Sequence, residues 1–236
     1  MRPHVICHMV SSLDGRILPS RWRPSGLDVH GVYERLHDQL DGDGWLVGRV
    51  TGQEFAKAEA YPDQTDEIFP REPWVARRDA ASFGVVLDAE GKIAWGRSDI
   101  GGDPIVVVLT ETVRDSHLAG LRRDGVSYLF AGKETLDLQL ALESLNRELG
   151  IERLLLEGGG GINGSFLRAG LVDEISLIIA PALDGTKGAP SVFDVSGPEA
   201  AGPPPVRVLR LEHSEAMEDG VVWLRYRLEN GSADGD

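Results

Sequence analysis

The stretch LLLEGGGGINGSFLRAG, residues 154–170, decides how the chain is read. Three leucines make a short buried strand, one acid ends it, and four consecutive glycines open a segment that can start a helix. Glycine lacks a Cβ, so backbone N–H groups at such a turn can approach a ligand, and a helix N-terminus adds favourable partial charge for an anion. Gly159, Gly161 and Gly164 match the spacing G-x-G-x-x-G of a dinucleotide site. In the Rossmann arrangement that loop stands at the first strand-to-helix turn, with alternating strands and helices after it. Here it comes late and mainly β structure follows, which disfavours a Rossmann domain. A second use of the glycines stays open: tight contact of strand with helix.

Outward from this turn the pattern is one of short apolar strands and amphipathic helices. HVICHMV (4–10) reads as a buried strand and SSLDGR (11–16) as the turn after it. Val32, Leu36 and Leu40 recur every four positions from about Ser25, marking one helical face that Gly42 and Gly44 interrupt. WLVG (45–48), SFGVVLD (82–88), PIVVVLT (104–110) and VSYLFAG (126–132) read as further strands, while the polar, proline-bearing residues 58–74 read as a surface excursion. Asp137 can cap a helix with a stripe of Leu138, Leu142, Leu145 and Leu149 and Gly150 as its stop. EISLIIAPAL (174–183) is another strand, GPPP (202–205) a rigid connector, and two alternating runs around Asp219-Gly220 a terminal hairpin. This gives an α/β fold of one domain over residues 1–229, with 230–236 a disordered tail.

Charge and cysteine usage narrow the partners. A chain of 236 residues, 42% hydrophobic, can bury a full core. Its 38 acidic against 24 basic residues, a formal charge of -14, repel nucleic acid and anionic membrane, so any anion site must be local. Cys7 is the only cysteine, which points to a reducing, cytoplasmic setting. No apolar run reaches the length of a membrane span.

A second constellation is GRVT (48–51), where another strand meets a helix. Arg49 can fork around a phosphate with Thr51 or a backbone N–H beside it, which would distinguish a 2′-phosphate from a hydroxyl. The alternative is an ordinary surface arginine.

SSLDGR, WLVGRVT, VVLD and LLLEGGGGINGSFLRAGLVDEISLIIAPALDG occur in order across nearly the whole chain. Together they resemble the C-terminal reductase domain of the bifunctional riboflavin-biosynthesis deaminase/reductases, related to dihydrofolate reductase. The resemblance implies a dihydrofolate-reductase-like α/β fold, a central mostly parallel sheet flanked by helices with a C-terminal antiparallel hairpin, NADPH as hydride donor, and a homodimer. Gly158, Gly159, Gly160 and Gly161 with Ile162 and Asn163 would hold the NADPH diphosphate. Gly48, Arg49 and Thr51 match the turn that contacts the adenosine-side phosphate, and Val10 and Ser11 would lie against the nicotinamide. Glu157 matches an acid that faces the substrate, Asp14 belongs to the motif near the ring, and Ser20 and Trp22 align with substrate and cofactor contacts. The small-molecule substrate would be a pyrimidine ribosylamine phosphate, its opened ribosylamino group reduced to ribitylamino.

Departures bear on that substrate. Family arginines that hold the sugar phosphate are missing: the helix position falls near Gln39, with Arg35 and His37 about a turn away, and Lys57 is the only base in FAKAEAYPDQ (55–64). Pteridine, dihydrofolate, imine or carbonyl reduction, or an NADPH-binding sensor without turnover, are the competing readings. The chain lacks H-x-E with P-C-x-x-C, which excludes zinc-dependent deamination. Glu157 and Asp14 are the proton-donor candidates; Glu157 can equally bind a substrate N–H or fix the glycine loop. Trp22 either stacks on a ring or anchors its loop. His4 and His8, four apart on a strand, are too far from each other to share a metal, and DGDG (41–44) is a solvated turn lacking a calcium loop's glutamate.

Overall fold

Runs rich in valine and leucine, buried on both faces, become the inner strands of the computed structural model, which describes residues 1–195 and 202–230. Contacts divide the chain into two compact units, one of Met1–Pro3 and Asp43–Leu154, the other of His4–Gly42 and Leu155–Asp236.

The first unit holds β2 (Gly44–Gly48), α2 (Arg49–Phe55), β3 (Gly84–Leu87), β4 (Asp99–Ile100), β5 (Asp103–Leu109), α3 (Asp115–Asp124), β6 (Ser127–Phe130) and α4 (Leu138–Leu149). Its strands run β4-β5-β3-β2 with β6 also on β5, and only β4 is antiparallel. The four residues of β3 and all five of β2 are buried, as their composition requires. Asp137 caps α4 by accepting from the Leu140 N–H, and Gly150 ends it in the left-handed region, as read from sequence. The buried face of α4 is Ala141, Leu142, Ser144 and Leu145, so the leucine stripe is buried at its centre while Leu138 and Leu149 lie half-buried at the ends. The excursion over 58–74 does not simply skirt the surface. Phe69 is buried, the Arg122 guanidinium sits 4.6 Å over its ring, and Trp74 stacks on Tyr128.

The second unit holds β1 (His4–Ser12), α1 (Val29–Leu40), the end of β7 (Arg153–Gly158), α5 (Gly160–Arg168), β8 (Glu174–Ala180), β9 (Val206–Ala216) and β10 (Val222–Asn230). The strand order is β7-β1-β8-β10-β9. β1 and β8 are parallel, and β10 returns antiparallel to both β8 and β9. The terminal hairpin therefore forms where the alternation placed it, with Asp219 and Gly220 at positive φ in the turn. α1 begins later than its apolar face suggested, because the Asp28 carboxylate caps it by accepting from the Gly31 N–H, 3.1 Å. Asn230 belongs to β10; the rest of the expected tail lies outside the described residues.

β8 alternates strictly, burying Glu174, Ser176, Ile178 and Ala180 and leaving Ile175, Leu177 and Ile179 half-open. Register carries the half-open face onto Tyr226, Leu224 and Val222 of β10, then to Leu211 of β9, which is 53% exposed, as is Leu209. The architecture is α/β with a mostly parallel sheet, flanking helices and C-terminal antiparallel strands. Among the described residues no helix is long and apolar enough to cross a membrane.

Candidate active site

Glu157 stands where β7 runs out of leucines. Leu154, Leu155 and Leu156 are fully buried, and the carboxylate that follows keeps only 10% of its side chain exposed. Its Oε1 lies 2.7 Å from Nδ1 of His37. His37 is one turn beyond Tyr33 on α1, so both side chains share the helix face turned to this acid. The Tyr33 hydroxyl lies against the same carboxylate and donates to the His8 carbonyl at 3.4 Å. The hydrogen bond that His37 donates to the Glu157 carboxylate raises the pKa of the imidazole above its ordinary value. Burial, then the charge of Glu157, raise that of Tyr33, which stays a protonated donor at neutral pH.

His8 backs this cluster from β1. It is fully buried, and its ring stacks on Tyr33 with centroids 4.4 Å apart. Burial lowers its pKa, so it is neutral near pH 7. Nε2 faces the Tyr33 carbonyl at 3.4 Å, an acceptor, which makes Nε2–H the donor and Nδ1 an acceptor from the Ser176 hydroxyl at 3.0 Å. Ser176 in turn accepts from Trp223 Nε1 at 2.9 Å. The sequence marks His8 only as a packed or exposed side chain and does not single out Tyr33; the signal it offers is the spacing of Tyr33 and His37 on one helix face.

The glycines after Glu157 divide into two kinds. Gly159, at φ 65° and ψ 136°, takes a conformation that side chains rarely adopt and turns the strand into α5. It offers no capping side chain, so the first N–H groups of α5 are left open to an anion, and a Cβ on Gly161 would meet nothing within 4 Å. Gly160 and Gly164 serve packing instead. Their Cβ atoms would come 2.2 Å from the carbonyl oxygens of Ser191 and Asp194 respectively. Asn163 belongs to the packing set: it is fully buried, and Nδ2 donates to the Val192 carbonyl. Its backbone N–H goes to the Gly159 carbonyl. Of the stretch assigned to a diphosphate, the exposed or half-exposed residues are Gly159, Gly161 and Ile162, with Gly158 and Gly160 buried.

Asp14, the second proton-donor candidate, is held by three hydrogen bonds. Its Oδ1 accepts from Ser12 Oγ at 2.6 Å and the Asp184 N–H at 3.1 Å, and Oδ2 accepts from the Gly185 N–H at 2.7 Å. Those donors, Ser12 first, hold its pKa down to about 2, so at neutral pH it carries no proton to give. Its work is to tie residues 12–16 to 184–185. Trp22 is 2% exposed and packs with Val10, Val29, Ala180 and Ala182, which makes it the anchor of its loop. Ser11 is buried on β1 and Ser20 is exposed in a short 3-10 helix.

In the first unit, Gly48 ends β2 and Arg49, exposed, begins α2, with Thr51 half-buried in the same first turn. Asp88, at the end of β3, is buried; burial raises its pKa, while backbone donors at Ile93 and Lys92 and the charges of Arg49 and Lys92 oppose. Gln39, Arg35 and Lys57 are all exposed. A pocket of about 220 Å³ in this unit, bordered by Tyr61, Lys92, Arg114 and His117, contains none of the sequence-assigned site residues. Among the described residues no cluster of three metal-ligating side chains occurs.

The RibD C-terminal domain model matches residues 3–223. A 2,5-diamino-6-ribosylamino-4(3H)-pyrimidinone 5′-phosphate reductase of Methanothermobacter thermautotrophicus is 40% identical over 205 residues, 84% of this chain and 86% of that protein. A protein of the same name from Aquifex aeolicus is 33% identical, covering 83% and 84%. Among solved structures, a pyrimidine reductase-like protein of Corynebacterium diphtheriae superposes with a TM-score of 0.68 at 19% identity, over 97% of this chain and 92% of that one. The riboflavin biosynthesis reductase of Saccharomyces cerevisiae gives 0.59 at 19% identity, over 97% and 90%. The fold is shared with both of these structures, and the length and strength of the sequence matches place the chain in the RibD C-terminal domain family.

Proposed function

We propose that the chain is an NADPH-dependent reductase of riboflavin biosynthesis, one reductase domain over residues 1–229, acting on a 2,5-diamino-6-ribosylamino-pyrimidinone 5′-phosphate. The observation that carries this reading is the continuity of Glu157 with the uncapped start of α5: an acid for the substrate and an anion cradle for the cofactor stand two residues apart. The relatives named for this substrate support its identity. Fit to the cofactor rests on the backbone of Gly159, Gly161 and Ile162, where a diphosphate would be held; Arg49, in the first unit, is the residue proposed on sequence grounds for a 2′-phosphate. Bound NADPH supplies hydride.

The chain's own residues do the rest. Reduction of the opened ribosylamine adds hydride to carbon and a proton to nitrogen. With Asp14 fixed as an anion, Glu157 with its partners His37 and Tyr33 is left to bind the substrate nitrogen and handle that proton. Val10, against Trp22, and buried Ser11 give the nearby strand end a rigid wall that limits water. We also read the enzyme as a homodimer, joined through the half-open apolar face of β8, β10 and β9. The register positions named for that face carry no acid, which keeps like charges out of the contact itself.

The test is a panel of ribosylaminopyrimidinone phosphate, dihydropterin and imine substrates, followed by loss of NADPH absorbance in the near ultraviolet. Turnover on the pyrimidinone phosphate above all others is expected. Preference for a pterin or imine would move the substrate to the competing reductases, and tight NADPH binding with no turnover would make the chain a sensor.

A further inference from the structure

Among the described residues, Glu157 has one ion-pair partner, His37, with Nδ1 2.7 Å from Oε1. The imidazole keeps 24% of its side chain exposed, against 10% for the carboxylate, so the pair has a buried end and an end in water. The other groups around the carboxylate cannot replace that cation. They are the Tyr33 hydroxyl, the neutral ring of His8 and the Cys7 thiol, whose pKa burial pushes up.

We infer that His37 is a positioning residue of the reduction, fixing Oε1 of Glu157 through Nδ1–H and refilling that carboxylate with the proton which the substrate nitrogen takes up. This rests on the reductase reading above. A bound nicotinamide cofactor would supply hydride to the imine carbon; the C=N π pair would then become the nitrogen lone pair, which binds one proton. That proton passes from Nδ1 of His37 to the carboxylate and on to the nitrogen, leaving a neutral imidazole. Water at the exposed ring edge restores it.

The pair exists only while His37 is protonated. Its hydrogen bond to Glu157 raises its pKa most, burial opposes, and the charges of Glu157, Glu34 and Asp38 add to the rise, the last two from its own helix. From β1, the neutral ring of His8 faces it with no charge. A base whose pKa is raised on folding makes its full contribution below the ordinary value, about 6.5, and loses it as pH climbs through the raised one. Turnover should therefore fall on the alkaline side through the folded pKa of His37.

Two measurements test this. In the apo protein, the His37 ring proton followed by NMR should titrate above free imidazole, and Glu157→Gln should return it to the ordinary range or below. In turnover, His37→Gln should lower kcat by about 100-fold with KM within roughly threefold, and should remove the alkaline limb. His37 titrating at the ordinary value in the wild type, or an alkaline limb unchanged in His37→Gln, overturns the inference while leaving the reductase reading in place. No turnover on any substrate of the panel overturns both.

Discussion

Asp14 and Glu157 are two carboxylates in motif positions that meet very different surroundings. Asp14 is exposed yet surrounded by donors, and Glu157 is nearly buried with a histidine for company. Because the pKa of Asp14 is depressed, its contribution to stability is present above the unfolded value, about 4, and is lost as pH falls through about 2. Asp14→Asn should lower the melting temperature at neutral pH, and scanning calorimetry should find the gap from wild type closing between about pH 4 and pH 2. Arg49 is tested by a ratio. Arg49→Ala should weaken NADPH by roughly 10-fold to 100-fold, the worth of a charge-assisted hydrogen bond, while NADH changes little; titration calorimetry giving equal losses would remove Arg49 from the 2′-phosphate.

Helix α5 is the element in which one run of glycines serves two ends. Gly161→Val places its side chain in open space, so the fold should survive and NADPH affinity should fall. Gly164→Ala drives a methyl group against the Asp194 carbonyl and should cost about 1–3 kcal/mol of stability in denaturant melts. Reversal of that pattern would show Gly161 to be the packing residue. The sequence made the turn legible because glycine runs after a leucine strand are rare and local. It could not sort the glycines, since what Gly160 and Gly164 meet lies about thirty residues further on. The same limit hid the cap at Asp28 less than it hid the Glu157 pair. A cap is read within four residues, whereas His37 and Glu157 are separated by 120 positions. The strands and the terminal hairpin were legible because alternation and buried runs are local signals, while the pinning of residues 58–74 by Arg122 was not.

At the scale of the whole molecule, the half-open face of β8, β10 and β9 spans roughly 15 Å by 20 Å from the spacing of strands and of alternate residues, enough to mark an interaction surface. Leu209→Glu with Leu211→Glu puts two acids on that face at positions already 53% exposed, so folding should persist while light scattering falls from the mass of a dimer to that of a monomer. A wild-type mass of one chain would remove the homodimer from the proposal. The proposed dimer face and the Glu157 cluster meet in one strand, because β8 carries both the half-open Ile175, Leu177 and Ile179 and, on its buried side, the Ser176 hydroxyl that donates to His8. The junction at Gly158 and Gly159 has a kinetic meaning of its own. Glu157 and the first turn of α5 are joined only by Gly158 and Gly159, so under the proposed function an anion seated on that helix bears directly on the strand end that carries the acid. If the proposed function holds, product-inhibition kinetics should find the nucleotide entering before the substrate, and random entry would show that these two residues of backbone do not couple the sites.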